Sequence, residues 1–546
     1  MLPDPDPLST ADPIGWPILS ALILLPLVWA LVLPFLREAR TVRVVALAGA
    51  GLELVLALIV LAALRPEGPG VQLVERAIWI PSLILPSLLG RVGSASHEPP
   101  LTALLFCGVI LASWTSIQIM PRLYFALLLA LESFTMGVFC ALDLVLFFLF
   151  WELTLVPIYF LISLWGIGPE RRFAATKYTL FMLAGGVPLL FAILLLGFHH
   201  ASAVGAPVPE GLSFDYLILL EQPLPSAWQT AVFLLLFFGF AVKAPLFPFH
   251  TWLPTVLREG PVGLSALLVG LKLGAFGILR FPLPLAPTAA REYFWLMAAL
   301  GGFGALYGAL VALRQANLRK LLAFSSVSHV GLVVVGLAAM NVQGVQGAIF
   351  QLVNFGVVAG GLMLLAGFLH HRLGTTDLAS LGGLAKPLPL LAAFFLLLGM
   401  ASIGLPGTNG FVAELLILLG ILQVSPSLAF VALGGVILSA AYVLGFYQRA
   451  FLGPVTNPDL ASTIDLRPRE LLVAGVLGAL VLAGGFFPHW VQNVTASAAS
   501  TWVARFAVEA TSGDRVIGRN DPQDRPFPAN SPYNATLISE SRSLAP

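Results

Sequence analysis

The chain has 546 residues, 58% of them hydrophobic and 10% charged, with a mean hydropathy of +0.94. A soluble domain carries about 25% charged residues, so this composition excludes an ordinary soluble core and indicates a polytopic membrane protein. The 28 basic and 27 acidic residues leave a net charge of +1, which gives no basic face for nucleic acid.

The N-terminal MLPDPDPLSTAD is acidic where a cleavable signal is basic, so the first apolar run is expected to stay in the mature protein. Runs long enough to span a bilayer lie near residues 15–36, 43–64, 99–119, 122–141, 143–166, 173–198 and 228–254. Others follow near 263–282, 291–313, 317–340, 343–369, 388–422, 427–453 and 468–492, which predicts an all-α membrane protein of about 14 spans. The polar stretches are 65–98, 199–227 and a tail from about 494, whose Pro, Ser, Asn and Arg content reads as extramembrane and partly disordered. If odd spans run from outside to inside, Lys and Arg concentrate on the inside segments, which supports this count and places both termini on the non-cytoplasmic face.

The two cysteines, Cys107 and Cys140, lie inside apolar runs, where a free thiol behaves as a small hydrophobe. They provide no disulfide framework, metal cluster, iron–sulfur ligation or haem attachment.

Lys243 and Lys272 do not fit the topology rule, because both fall inside predicted spans. A charge at a helix centre costs about 2.5–3.5 kcal/mol on insertion scales, so each is expected to have work to do. Lysine suits proton handling because its proton affinity responds to its surroundings, whereas arginine stays protonated. Glu152, nine residues beyond Asp143, and Lys272, nine residues into its span, both lie near the midplane at 1.5 Å per residue.

In AVKAPLFPFHTWLP, Pro245 and Pro248 remove the amides that would bond the carbonyls of Ala241 and Ala244. In GLPGTNGFVAE, Pro406 and Gly407 interrupt the run 388–422 two turns before Glu414. Two broken helices, each with an ionisable residue and placed in corresponding halves of the chain, point to an inverted-repeat transporter with midplane sites. His250 follows the first break, and His329 lies one turn after Ser325 in SSVSH, where a hydroxyl can relay protons with water. Glu132 is a candidate either for the proton path or for pairing, while Glu53 reads as a pairing residue within its helix. Arg171, Arg172, His370 and His371 read as anchors at helix ends. The structural alternative for Lys243, Lys272, Glu152 and Glu414 is a set of buried ion pairs, which stabilise poorly.

The stretches FFLFWELTLVPIYFLISLWG, FAVKAPLFPFHTWLP, LRKLLAFSSVSHVGL and GLPGTNGFVAELLILLG resemble the antiporter-like subunits of complex I, over residues 100–490 or so. The similarity is greatest to the bacterial M-type subunit and to its cyanobacterial and chloroplast counterpart. It implies 14 helices, with helices 4–8 and 9–13 as two inverted five-helix repeats and helices 7 and 12 broken. The corresponding segments are 1–121, 122–282, 283–453, 454–493 for helix 14 and 494–546 for the tail. The resemblance implies a proton path of Glu152, Lys243, Lys272 and Glu414, with His250, His329, Ser325, Glu132 and Glu259 in support. It implies no cofactor or metal in this chain; the quinone (or plastoquinone) site and the iron–sulfur clusters would lie in partner subunits, beside neighbouring antiporter-like subunits and membrane lipid.

This chain departs from the family pattern at two places. After HTWLP it reads TVLREGPVG, which keeps Glu259 but lacks the usual Asp and His, and QLVNFG places Phe355 where the family has a His. Phenylalanine cannot relay a proton, so the path is expected to use water, Asn354 or a different spacing between Lys272 or His329 and Glu414. QLVNFGVVAGG and LHHRLGTTDLASLGG look like the variants of the cyanobacterial counterpart that serve CO2-uptake complexes, which would imply a ferredoxin donor and a thylakoid membrane. The alternatives are a subunit of a multicomponent Na+/H+ antiporter and a non-transporting scaffold of helices.

Overall fold

A computed structural model describes residues 16–65, 71–80, 85–92, 96–455 and 463–517. The chain divides into two compact units, Met1–Phe506 and Ala507–Pro546; in the second, the described residues, 507–517, are helical. The molecule is an integral multi-pass membrane protein. Among the described residues, 12 helices are long and apolar enough to cross a membrane, and three shorter apolar ones are Glu98–Ser113, Pro389–Ser402 and Asn409–Val424.

Span starts follow local chemistry. Asp143, Asn317, Asn341 and Ser425 each accept a backbone N–H of the first helical turn, satisfying donors that helix geometry leaves free. Burial separates inner helices from outer ones: the apolar windows of Leu318–Ala338 and Val262–Leu285 are 94% and 89% buried, against 33% for Pro426–Phe451 and Pro468–Phe486. Lys272 and His329 therefore lie on the most enclosed helices.

Both expected breaks are present. Ser226–Lys243 stops at the lysine, and the chain resumes with Phe249–Thr251 and Trp252–Glu259. Pro389–Ser402 and Asn409–Val424 are separate helices. Gly404 and Gly407, between them, have φ of +68° and +90°, a region that L side chains rarely adopt.

Three further interruptions are unexpected from the run lengths. Leu144–Leu153 gives way to Leu155–Trp165 at Thr154, because Pro157 lacks the amide that would bond the Leu153 carbonyl. Val262–Gly270 and Leu273–Arg280 are divided at Leu271 and Lys272. A π turn, Phe355–Ala359, interrupts the run between Val342–Asn354 and Gly360–Leu373.

The structure adds detail at three places. The polar stretch 65–98 contains an antiparallel hairpin, Val71–Ile80 with Leu85–Val92, so the described residues are helical apart from this pair of strands and their connections. The hairpin is tied down by Glu75, whose carboxylate accepts from Leu19 N at 2.6 Å and Ser20 N at 3.0 Å and caps the first helix. Helix 14 ends at Phe486, and residues 494–517 of the expected tail lie in a helix, His489–Ile517; the rest of that tail lies outside the described residues. Thr495, Ala498, Ala499 and Trp502 recur on one face of that helix; the first three are buried, and the Trp502 indole donates to Leu279 O at 3.2 Å.

Candidate proton-conducting site

The break at Thr154 places its hydroxyl against the first lysine. Lys243 Nζ donates to Thr154 Oγ1 at 2.8 Å and to Trp151 O at 3.2 Å, and it stands 3.9 Å over the Trp151 ring. Glu152 is on the same helix turn, but among the described residues no ion pair joins it to Lys243; the two charges act on each other at longer range. The Glu152 carboxylate rests where a side chain at Gly186 would be, 2.2 Å from the position a Cβ would take there. The gap between the two groups is thus set by a glycine on one side and a threonine on the other.

Beyond Lys243 is a cavity of about 40 Å³, lined by Thr154, Tyr178, Trp252, Leu268 and Leu271. Its walls are mainly leucine, but Lys243, Thr135, Thr154 and Tyr178 supply polar groups and the volume is enough for water. The break at Leu271 and Lys272 places Leu271 and Leu273, on either side of the second lysine, in its wall. Lys272 Nζ donates to Leu268 O at 3.2 Å and lies 4.9 Å from the centre of the Phe355 ring. Glycines allow this approach: a Cβ on Gly274 would come within 2.2 Å of Ala244 N, directly after the first lysine.

Phe355 separates Lys272 from His329, whose ring it meets edge-on at 6.3 Å. Around its edge is a second cavity, of about 20 Å³, lined by Ser326, His329, Gln351, Asn354 and Ser402. Ser326 Oγ and Asn354 Oδ1 are buried with no hydrogen-bond partner among the described residues. Buried polar atoms are rarely left so.

His329 Nδ1 is 2.8 Å from Ser325 O and Nε2 is 3.0 Å from Ser402 O. Carbonyls only accept, so both contacts are satisfied together only by a ring with two protons. Nε2 is also 3.5 Å from Glu414 Oε1. The Glu414 carboxylate folds over Gly404, where a Cβ would come within 2.3 Å of Oε2. The predicted hydroxyl partner, Ser325 Oγ, is 3.5 Å from Nδ1 and is instead engaged by the Tyr442 hydroxyl at 2.8 Å.

The supporting residues are placed differently. His250 is enclosed by Phe247, Tyr307 and Phe324. Glu259 secures a loop: its Oε2 accepts from Glu170 N at 2.9 Å. Glu132 is fully buried and faces Glu53 and Cys107, while its neighbours Leu131 and Thr135 line the first cavity. Glu53, expected to pair within its helix, has both carboxylate oxygens buried without a partner among the described residues; its helical neighbours offer no cation. Thr154, Ser326, Gly186, Gly404 and Tyr442 were not singled out from the sequence. A signal for Thr154 exists, as the one hydroxyl in FFLFWELTLVP, three residues before the proline; the others have none.

Outside the spans, Asp143 and Asp215 pair their backbones at the start of the fifth helix. Burial pushes the Asp143 carboxyl up to about 6, with Asp215 adding to the effect. Burial also raises Asp215, against the pull of its helix N–H groups and Arg76, 3.6 Å away.

Residues 141–439 match the family described as NADH:quinone oxidoreductase/Mrp antiporter, TM, a range that holds all four of the predicted proton-path residues. The chain belongs to this family. NADH-quinone oxidoreductase subunit M of Rhodobacter capsulatus is 38% identical, over 87% of this chain and 94% of that protein. NAD(P)H-quinone oxidoreductase chain 4 1 of Synechococcus sp. is 36% identical, over 88% and 91%. Among solved structures, respiratory complex I from Thermus thermophilus with bound NADH contains a chain with a TM-score of 0.81 and 33% identity, covering 89% of this chain and 99% of its own. The Mrp complex from Dietzia sp. shares the fold, with a TM-score of 0.78 at 23% identity. This family member is a membrane subunit of an NAD(P)H–quinone oxidoreductase complex. Among its described residues, no group of His, Cys, Asp and Glu could hold a metal ion.

Proposed function

We propose that the chain carries protons across the membrane along Glu152, Lys243, Lys272, His329 and Glu414, driven by electron transfer in partner subunits that hold the iron–sulfur clusters and the quinone. One observation carries this reading: the two lysines have no ion-pair partner among the described residues, yet Lys243 and the two neighbours of Lys272 in sequence, Leu271 and Leu273, line one cavity large enough for water. Ion pairing for stability would have closed these gaps.

The cycle follows from electrostatics. A carboxylate close to Lys243 stabilises the ammonium, and its withdrawal releases a proton to the cavity and on to Lys272. Lys272 hands the proton around Phe355 through Asn354, Ser326 and water, which replace the histidine of the family pattern. His329 and Glu414 take it up at the second break. Moving one charge against 100 mV costs about 2.3 kcal/mol, which a modest change in charge spacing supplies.

Counting Glu98–Ser113 as one crossing and the two half-helices of the second break as another gives 14 crossings. In that count each break is the fourth helix of its five-helix repeat, in segments 122–282 and 283–453, which supports the inverted-repeat reading. The arginine distribution supports both termini on the non-cytoplasmic face. The CO2-uptake variant rests on QLVNFGVVAGG and LHHRLGTTDLASLGG alone, since relatives of both respiratory and cyanobacterial type are similarly close. Subunits that co-purify with the chain distinguish a ferredoxin-linked complex from a respiratory one and from an Mrp-type antiporter.

Lys243→Ala and Glu152→Gln test the path in the assembled complex. Electron transfer continuing with reduced proton pumping is expected, and full pumping in both variants overturns the proposal.

A further inference from the structure

A second site, remote from the lysines in the sequence, lies where the helices Ala39–Ala63, Glu98–Ser113 and Pro468–Phe486 begin or end. Arg467 Nη1 and Arg469 Nη2 both donate to the hydroxyl oxygen of Thr115, at 3.2 and 2.7 Å. His371 Nε2 is 3.2 Å from the same oxygen. Arg43 arrives from the second span, donating to Ile117 O at 3.0 Å and Gln118 Oε1 at 3.3 Å. Arg469 feels the attraction of Glu470 and the repulsion of Arg467, Arg43 and Arg372.

The nearby carboxylates are already engaged. Glu470 is held by Arg372 and by the Arg467 backbone N–H. Asp465 accepts from the backbone N–H groups of Leu390, Leu391 and Leu466. Among the described residues no ion pair reaches Arg43, Arg467 or Arg469, and the Nε of Arg43 and of Arg469 is buried without a partner.

Arginines that only set topology gain by spreading into water. Two that converge on one neutral hydroxyl, with Arg43 close enough to add its charge, repel one another, and a hydroxyl has two lone pairs to offer them. The missing component is an anion with several acceptor oxygens, and guanidinium groups match phosphate geometry. Thr115 also lines a cavity of about 480 Å³. Its rim includes Ile119, Leu164 and Ile167, large apolar side chains that are exposed. A phosphate beside an apolar wall at a helix boundary describes a lipid rather than a free ion.

We propose that Arg43, Arg467, Arg469 and Thr115 bind the phosphate of an anionic phospholipid, whose acyl chain lies along the Ile119–Leu164–Ile167 rim. Basic pockets between membrane helices are suited to such headgroups.

The test uses the intact complex, stripped of lipid by detergent exchange and then titrated with phosphatidylglycerol, phosphatidylcholine or inorganic phosphate, with thermal stability and retained lipid phosphorus as readouts. Phosphatidylglycerol is expected to stabilise and to be retained, and phosphatidylcholine to do neither. Arg469→Gln should weaken the effect about tenfold, the loss of a charged hydrogen bond. Thr115→Val, which leaves every charge and hence the topology unchanged, should weaken it in the same direction. Equal responses to the two lipids, or unchanged affinity in both variants, overturn the proposal. An equal effect of inorganic phosphate overturns the lipid assignment in favour of a free anion. Protection of Arg467 and Arg469 from phenylglyoxal in the stripped complex overturns it in favour of a neighbouring subunit.

Discussion

Thr154→Val is the most discriminating change on the proposed path. Lys243 has two oxygen partners, Thr154 Oγ1 at 2.8 Å and Trp151 O at 3.2 Å, and valine removes the shorter while keeping the branched shape. A hydrogen bond to a charged group is worth about 1.5–3 kcal/mol. At about 1.36 kcal/mol per tenfold, the proton's distribution between Lys243 and its neighbours shifts by roughly 10- to 100-fold. The carboxylate at Glu152 cannot compensate, because no ion pair joins it to the lysine among the described residues. The assay is the intact complex in proteoliposomes, with dye-detected acidification measured against electron transfer, coupled and uncoupled. Uncoupled electron transfer should be normal and the protons moved per electron should fall. Thr154→Ser, which restores the hydroxyl, should recover them. Wild-type pumping in Thr154→Val with normal assembly refutes the account of how Lys243 is held.

Three more outcomes follow from the geometry. Asn354→Leu combined with Ser326→Ala removes the polar lining beside Phe355 and should reduce pumping at least tenfold, whereas Phe355→His in that background should restore it; pumping in proteoliposomes checks both. Gly404→Ala places a Cβ against Glu414 Oε2 on a backbone with φ +68° and should destabilise by about 1–2 kcal/mol, seen as a lower melting temperature, while impairing pumping. The Asp143 carboxyl, raised to about 6 from 3.8, contributes stability that is present below about pH 4 and lost as pH rises through 6, on the order of 2–3 kcal/mol. Asp143→Asn keeps the helix cap; it should raise the melting temperature at pH 7 and flatten its dependence between pH 4 and 6.

The helix breaks show how far sequence reading reaches. Those at Pro245 and Pro406 are legible because two prolines, or a proline and a glycine, fall within a few residues of an ionisable group in an apolar run. The break at Thr154 is caused by a single proline, Pro157, and the division at Lys272 has no proline at all. It arises where Gly274 lets the backbone of Ala244 approach, a contact between residues 30 positions apart. Period and composition describe one helix at a time, so they contain no term for such an approach. The same limit explains Glu53, which reads as a local pairing residue but faces Glu132 on another helix.

The sequence by itself determined that the chain spans the membrane many times, where the two proline-bearing breaks fall, and which charges topology leaves unexplained. These follow from the cost of exposing backbone and charge to hydrocarbon, which acts residue by residue. Only the tertiary structure decided which polar groups meet: Lys243 with Thr154, His329 between two carbonyls, Phe355 between Lys272 and His329, and two arginines at Thr115. Each of these meetings joins different spans or the two sides of a break, and their angles and spacings are fixed by glycine contacts and packing that exist only once the helices are assembled.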